Sequence, residues 1–211
     1  MPAPGRESRA TDPRACASVP AVAISLLAVV GSATPPGRLR RAVADATERA
    51  GQGGAVDAHL IDLAERRIAP ADGRPLDQLG DDTQATVAAI AAADAVVLAT
   101  PVYRGSMTGT LKNLLDHVPV EALAGKPVAI VAMGASDHHF LGAERHLRDV
   151  LSFFGALVVP VAVYLSSRDF EDGVPTEAAA ADLDAALGAC ATLAGARLGR
   201  LGPDPLATRS R

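Results

Sequence analysis

The sequence predicts one α/β domain in which helices cover both faces of a parallel β-sheet. Short apolar runs alternate with longer stretches of helical periodicity, which gives the element order β-α-β-α-β-α-β-α-β-α. The apolar runs do not alternate between polar and apolar residues, and this is typical of strands buried on both faces of a parallel sheet. The 211 residues are enough for one such domain with a sizeable core.

Five short apolar runs are the predicted strands. Their length and their flanking residues, which include many glycines and prolines, favour buried strands over helices. The third run reads AVVLA and the fourth reads VAIVAM. The five runs span residues 24–30, 56–63, 95–99, 128–133 and 157–165.

Five stretches between and after these runs are the predicted helices, because apolar residues recur in them at helical spacing. Gly51 ends the first helix and Gly155 ends the fourth. Asp81 or Asp82 can cap the second helix. The helices end near residues 50, 93, 118, 154 and 197, and residues 64–79 and 166–175 are predicted loops.

Five parallel strands of this kind suit a flavodoxin-like three-layer sandwich with the strand order 2-1-3-4-5. In such sheets, ligands bind beyond the carboxyl ends of the strands, at the switch point between strands 1 and 3. The loops that follow strands 1, 3 and 4 should therefore converge on one site.

The N-terminal segment has no periodicity and is rich in Pro, Arg, Ser and Ala, so residues 1–20 are predicted to form a disordered extension. The domain follows over residues 21–200, and residues 201–211 form a loose C-terminal tail. A secretory signal is the alternative for the N-terminus, because arginines precede the apolar run of residues 19–30 and small residues follow it. We favour a buried strand, since cleavage there would remove the first strand of an otherwise complete fold.

The composition excludes several partners. The net charge is −4 without a dominant basic cluster, so a nucleic-acid-binding surface is not expected. No apolar run approaches the ~20 residues of a membrane span, so no membrane partner is expected. Cys16 and Cys190 are too far apart to suggest a disulfide framework. A reducing cytoplasm fits, and we expect a cytoplasmic protein.

The loop after the first strand, residues 31–39, offers donors for a phosphate. Backbone N–H groups at a helix start bind anions, and glycines let an anion approach them. Ser32 and Thr34 add hydroxyl groups, and Arg38 adds positive charge. The spacing matches neither a Walker motif nor GxGxxG, and an ordinary strand-to-helix turn explains these residues about as well.

The loop after the third strand, residues 100–109, is long and contains one of the chain's 2 tyrosines, Tyr103. A flat heteroaromatic ring needs a backbone edge for its polar rim and a side chain against its face. The sequence Pro101-Val102-Tyr103 offers both. The alternative is an ordinary helix start with Thr108 as N-cap.

The loop after the fourth strand begins with the small residues Gly134, Ala135 and Ser136, which would let the edge of a ring contact the main chain. The histidines at 138 and 139 follow Asp137 and raise the alternative of a metal site. Adjacent histidines usually point in different directions and no further ligands have metal-site spacing, so we expect no metal. His139 is then a helix-start residue or a cofactor contact.

Two stretches resemble the NAD(P)H-dependent FMN reductases. They are LATPVYRGSMTGTLKNLLDHVP at residues 98–119 and GKPVAIVAMGASDHHFLGAERHLRDVLSFFG at residues 125–155. With the Gly31-Ser32 loop, the resemblance covers about residues 24–165 in the right order. The subgroup that it resembles supplies reduced FMN to alkanesulfonate-type monooxygenases.

The resemblance implies FMN at the strand ends, hydride transfer from NADPH or NADH, a possible flavin-dependent monooxygenase as partner, and homodimers or homotetramers. It places the FMN phosphate on residues 32–39 and the ring against residues 101–104 and 134–136. Hydride transfer belongs to the cofactors, so no catalytic acid or base is named. The cofactor-binding residues expected from the loops and the resemblance are Ser32, Thr34, Gly37, Arg38, Leu39, Thr100, Pro101, Val102, Tyr103, Arg104, Gly134, Ala135, Ser136 and His139.

The sequence departs from the pattern of these reductases at four positions. Gly37 and Leu39 lack hydroxyl groups that related loops carry, and this predicts weaker retention of FMN. Met107 replaces an aromatic residue and Ala135 replaces a glycine. Three alternatives stay open: a quinone, azo or chromate reductase that keeps FMN bound, a non-catalytic flavin carrier, and an interaction protein that has lost its ligand.

Overall fold

Four parallel strands of seven residues each form the centre of the molecule. The structure is a computed structural model that describes residues 23–34, 36–199, 201–205 and 208. The strands are β1 (Ile24–Val30), β2 (Val56–Asp62), β3 (Ala95–Pro101), β4 (Pro127–Met133), β5 (Leu157–Val158), β6 (Val163–Leu165), β7 (Phe170–Glu171) and β8 (Val174–Pro175). The helices are α1 (Arg38–Gly51), α2 (Thr83–Ala92), α3 (Gly109–His117), α4 (Gly142–Phe154) and α5 (Glu177–Gly195).

The strand order is β2-β1-β3-β4-β5, and every pair in this sheet is parallel, so the predicted flavodoxin-like order is confirmed. Val30 at the end of β1 lies between Asp62 of β2 and Ala99 of β3. Pro101 at the end of β3 pairs with Met133 at the end of β4. The carboxyl ends of four strands therefore meet at one edge, as the site prediction required.

The fifth strand is not continuous, and the prediction of one strand over residues 157–165 is wrong in this respect. Two short strands, β5 and β6, both pair with β4, and residues 159–162 separate them. The Arg148 guanidinium donates hydrogen bonds to the carbonyl oxygens of Val159 (3.0 Å) and Pro160 (2.8 Å). Pro160 has no N–H to donate to a neighbouring strand, which favours an interruption at this point. The hydrogen bonds from Arg148, a residue of α4, support the interrupted segment.

Helices cover both faces of the sheet. Alternate residues of β1 point to opposite sides, so that Leu26 and Val30 pack with α1 and α5, while Leu27 and Val29 pack with α2, α3 and α4. All four side chains are buried. This two-sided burial explains why the strands read as continuous apolar runs.

The predicted helix ends are close to those observed. Gly155 adopts a left-handed conformation (φ 68°) directly after α4, as expected for a residue that ends a helix. Asp81, rather than Asp82, accepts a hydrogen bond from the Thr83 backbone N–H at the start of α2 (3.0 Å). The Asp82 carboxylate instead accepts from the backbone N–H of Arg67.

The predicted loop of residues 166–175 contains a small hairpin, β7–β8, that the sequence analysis missed. Phe170 pairs with Pro175 across it, and Gly173 takes a positive φ of 80° in the turn. Strands of two residues carry no readable periodicity, so pattern analysis cannot detect them. The other predicted loop, residues 64–79, includes two short 3₁₀ turns.

Helix α5 is the one helix, among the residues that the structure describes, whose length and hydropathy would permit a membrane crossing. Its Leu183, Leu187 and Cys190 are buried against the sheet, so in this fold it is a covering helix of the core. Burial raises the pKa of the Cys190 thiol to about 12.

The division into extension, domain and tail stays a prediction. Residues 1–20 lie outside the described residues. In the C-terminal segment, Pro205 lies close to Gly155.

Candidate functional site

A cavity of about 140 Å³ lies at the carboxyl edge of the sheet, beyond the ends of β1, β3 and β4. The loop after β1 and the start of α1 supply most of its lining, and the last residues of β2, β3 and β4 supply the rest. Six of the predicted cofactor-binding residues line it, namely Ser32, Thr34, Gly37, Arg38, Leu39 and Pro101. The other predicted residues do not line it: Thr100, Val102, Tyr103, Arg104, Gly134, Ala135, Ser136 and His139. Lining residues are Ser32, Thr34, Pro36, Gly37, Arg38, Leu39, Arg40, Asp62, Pro101 and Met133.

The loop after β1 presents donors at the start of α1. The hydroxyls of Ser32 and Thr34 are hydrogen-bonded to each other (2.9 Å) and leave further donor and acceptor capacity. Gly37 is the N-cap of α1 and has no side chain to cap the helix, and the first turn contains no acidic residue. The first N–H groups of α1 are therefore available to an anion, and the helix dipole favours negative charge there.

Arg38 is oriented by two contacts from the segment after β6. Its guanidinium lies 5.0 Å from the centre of the Phe170 ring. It also donates a hydrogen bond to the Ser167 hydroxyl (3.3 Å), which in turn donates to the carbonyl of Ala135 (3.4 Å). Ser167 thus joins the start of α1 to the loop after β4.

The loop after β3 contains a tight turn. Tyr103 and Ser106 exchange two backbone hydrogen bonds (2.9 and 3.1 Å), and both central residues, Arg104 (φ 53°) and Gly105 (φ 79°), have positive φ. The Tyr103 side chain is 47% exposed. The His146 ring is hydrogen-bonded to the Ser106 hydroxyl and ties this turn to α4.

Thr100 and Thr108 fix the two ends of this loop. The Thr108 side chain accepts a hydrogen bond from the Leu111 N–H (3.1 Å), so Thr108 is the N-cap of α3, as the alternative interpretation of this loop predicts. Its hydroxyl also donates to the Gly31 carbonyl of the loop after β1, and its N–H donates to Thr100.

The loop after β4 packs tightly against Tyr164. The Tyr164 hydroxyl donates to the Ser136 carbonyl (2.6 Å), and a Cβ at Gly134 would overlap that hydroxyl. Only glycine fits at 134 without movement of its neighbours. Partial burial raises the pKa of Tyr164 above its ordinary value, so it is neutral and able to donate at physiological pH.

His139 and the neighbouring acidic and basic residues form an exposed single turn. Residues Asp137–His139 make one 3₁₀ turn and α4 begins later, at Gly142, so His139 is not at the start of α4. Phe140 follows this turn, is 59% exposed and makes an edge-to-face contact with Tyr164. Over the described part of the chain, no group of three or more His, Cys, Asp or Glu residues is placed to hold a metal ion.

Asp62 and Arg40 are site residues that the sequence analysis missed. Asp62 ends β2 and is 3% exposed, and its Oδ1 accepts a hydrogen bond from the Ala64 N–H (3.0 Å). The Arg40 Nε atom lies 3.7 Å from the other carboxylate oxygen, Oδ2. The signal for Asp62 was its place at the end of a parallel strand, which the topology puts at the ligand-binding edge.

The fold and this cavity define a flavodoxin-like protein with a cavity at the switch point of its sheet. The family profile described as NADPH-dependent FMN reductase matches residues 24–171. The chain belongs to this family.

Curated relatives agree with this assignment. The chain is 38% identical over 117 residues to an NAD(P)H-dependent FAD/FMN reductase of Geobacillus thermodenitrificans, with 56% of this chain and 63% of the relative aligned. It is 35% identical over 149 residues to an FMN reductase (NADPH) of Pseudomonas aeruginosa, covering 70% and 79% of the two chains. The chain therefore spans slightly under two thirds of the length of the Geobacillus relative and more than two thirds of the length of the Pseudomonas aeruginosa relative.

Solved structures show the same fold. An NADH:FMN oxidoreductase, EMOB, superposes with a TM-score of 0.66 at 26% identity, covering 80% of this chain and 89% of that one. An oxidoreductase from Corynebacterium diphtheriae gives a TM-score of 0.62 at 26% identity over 84% of this chain and 100% of the other.

Proposed function

We propose that this chain is an NAD(P)H-dependent FMN reductase that transfers hydride from NADPH or NADH to FMN. The observation that carries the proposal is the set of hydrogen-bond donors that the loop after β1 and the start of α1 present to a cavity at the carboxyl ends of β1, β3 and β4. Family membership supports the same reaction.

The phosphate end fits the terminal phosphate of FMN in size and chemistry. A cavity of about 140 Å³ holds a group of phosphate size, and the Ser32 and Thr34 hydroxyls, the first N–H groups of α1 and the Arg38 guanidinium are donors. These are the groups that bind phosphate in proteins. We assign Gly37 and Leu39 a backbone role only, since neither side chain can donate.

The ring end is formed by backbone edges and small side chains. Thr100, Pro101 and Val102 lead into the Tyr103 turn, and Gly134, Ala135 and Ser136 form the facing loop. In our proposal the main chain of both loops meets the polar rim of the flavin, while Tyr103, Arg104 and His139 border its exposed side. FMN, when bound, supplies the redox chemistry, and the chain binds, orients and shields it.

We further propose that reduced FMN is passed to a flavin-dependent monooxygenase, and that the enzyme is a cytoplasmic homodimer or homotetramer. The relatives named NADH-dependent FMN reductase SfnF and SfnE, from Pseudomonas fluorescens and Pseudomonas putida, are 39% and 38% identical over their aligned parts. This similarity, together with the phosphate loop that lacks two hydroxyls, supports a reductase that releases its flavin.

An enzyme that retains FMN is the second candidate. An FMN-dependent NADPH-azoreductase of Staphylococcus aureus is 29% identical over 127 residues. The distinction between the two candidates is whether FMN is a substrate or a bound group.

The deciding experiment measures oxidation of NADPH and NADH by the purified protein, with and without added FMN, together with its visible spectrum. We expect a nearly colourless protein whose activity saturates with added FMN. A yellow protein that needs a dye or quinone as acceptor would support the second candidate. Absence of both oxidation and FMN binding would refute both.

A further inference from the structure

The phosphate end of the cavity contains a buried charge pair with incomplete hydrogen bonding. The Asp62 side chain is 1% exposed, and the Arg40 side chain is 33% exposed. Within the described residues, neither Oδ2 of Asp62 nor Nε of Arg40 has a hydrogen-bond partner, and 3.7 Å separates the two atoms. Arg40 also faces the Glu65 carboxylate at 4.0 Å.

This arrangement is unusual for buried polar atoms. A buried carboxylate is normally fully hydrogen-bonded, because desolvation of an unpaired oxygen is costly. Here Arg40 lies within ion-pair distance of two carboxylates, and its Nε makes no hydrogen bond to either of them. Both Arg40 and Asp62 line the cavity that also holds Arg38.

We propose that Arg40 and Asp62 set the affinity of this site for the terminal phosphate of a flavin. Arg40 is a second cationic ligand of the phosphate. Asp62 opposes phosphate binding in two ways, because it attracts Arg40 towards β2 and adds a negative charge beside an incoming dianion. This inference rests on the proposed function, whose phosphate end is this cavity.

The pair matters because the loop has few other donors. Gly37 and Leu39 contribute no hydroxyls, so charge decides a larger share of the phosphate affinity than it would in a hydroxyl-rich loop. With Asp62 present the net charge at the cavity is lower than Arg38 and Arg40 alone would give. The pair therefore favours loose binding and release of FMN, and discriminates little between FMN and riboflavin.

The test compares binding of FMN and of riboflavin, which has the same ring and sugar chain but no phosphate. Dissociation constants are measured by flavin fluorescence for the full-length protein and three variants: Asp62→Asn, Arg40→Gln and, as a matched control, Arg41→Gln. Arg41 is the next arginine of α1, lies beside Gly173 and does not line the cavity. Asparagine at 62 keeps an oxygen to accept from the Ala64 N–H, so the local turn is retained.

Asp62→Asn should bind FMN roughly tenfold more tightly, and Arg40→Gln roughly tenfold more weakly, an effect that lies between those of one charge pair in bulk water and near a protein surface. Riboflavin affinity should change less than about twofold in both variants, because riboflavin has no charge at this end. Both effects on FMN should shrink at high salt. Arg41→Gln should leave both ligands unaffected.

Equal shifts for FMN and riboflavin would overturn the proposal, because they would indicate a general change of the site. Weaker or unchanged FMN binding by a folded Asp62→Asn variant would also overturn it. If that variant does not fold, Arg40→Gln decides alone, and unchanged FMN affinity there overturns the proposal. A wild-type protein that binds neither flavin would refute the proposed function itself, whereas FMN binding that ignores both substitutions would refute only this inference.

Discussion

The Arg38 guanidinium lies over the Phe170 ring, 5.0 Å from its centre, and so connects the first turn of α1 to the β7–β8 hairpin. Arg38 has three rotatable bonds beyond its Cβ and would otherwise be free to turn towards solvent. The aromatic face and the Ser167 hydroxyl together hold the guanidinium at the cavity. A hairpin of two-residue strands thereby acquires a role in the proposed phosphate site.

Phe170→Leu should weaken FMN binding roughly two- to fivefold, because a cation over an aromatic face contributes about 0.5–1 kcal/mol. Phe170→Tyr keeps the aromatic face and should bind FMN as the wild type does. Riboflavin affinity should not change in either variant. The measurement is flavin fluorescence titration, and Phe153→Leu, at an exposed phenylalanine of α4, serves as control. Equal loss with leucine and tyrosine would argue against the role of the ring.

Gly134→Ala should lower the free energy of unfolding by about 1–3 kcal/mol, because the added methyl group overlaps the Tyr164 hydroxyl. Tyr164→Phe removes that hydroxyl, so the double variant should lose less stability than the sum of the single variants. Thermal unfolding of the four proteins completes the cycle. Gly109→Ala, where an added methyl group meets open space, is the control. Additive losses would mean that the overlap is not the cause.

The central sheet could be predicted because β1–β4 are buried on both faces and therefore read as uninterrupted apolar runs. The break between β5 and β6 was missed, although Pro160 within the run argues against a continuous strand. The hydrogen bonds from Arg148 that accompany the break come from a different element and have no local signal. The predicted loop after β1 does line a cavity at the carboxyl edge of the sheet, together with the strand-end residues Pro101 and Met133. The placement of Arg40 and Phe170 escaped because it depends on contacts between elements, which no local spacing encodes. Asp62 had a signal in the sequence, its place at the end of a parallel strand, that was not used.

Asp81 should contribute to stability above about pH 4 and lose that contribution in acid. Its hydrogen bonds with Thr83 hold its pKa below the ordinary value of 3.8. A carboxylate with a lowered pKa in the folded state stabilises the protein above the unfolded-state pKa, and the effect disappears as pH falls through the folded-state pKa.

Asp81→Asn should therefore reduce the pH dependence of unfolding between about pH 2 and pH 5, as measured by denaturant titration at a series of pH values. Asp77→Asn, which removes one exposed carboxylate from the preceding turn, is the matched control. A variant at 81 whose pH profile follows that of the wild type would show that the Thr83 contact does not matter for folding.

Gly37→Ser should increase FMN affinity roughly tenfold, because the new hydroxyl lies at the N-cap of α1 beside the proposed phosphate, and a hydrogen bond to a charged group contributes about 1.5–3 kcal/mol. The backbone at 37 has φ −113° and ψ −164°, an extended conformation that serine adopts without strain. Thermal stability should change little, since glycine and serine differ by only a few tenths of a kcal/mol at an N-cap.

The measurement pairs FMN with riboflavin, whose affinity should stay constant, and follows the amount of flavin that remains with the protein through gel filtration. Gly53→Ser places the same side chain in open space after α1 and should alter neither property. A wild-type protein that loses FMN on the column and a Gly37→Ser variant that keeps it would link the missing hydroxyl to flavin release. If the Gly37→Ser variant releases FMN as readily as the wild type, the missing hydroxyl at residue 37 does not determine how much FMN the protein retains. FMN retention would then depend on the loops after β3 and β4.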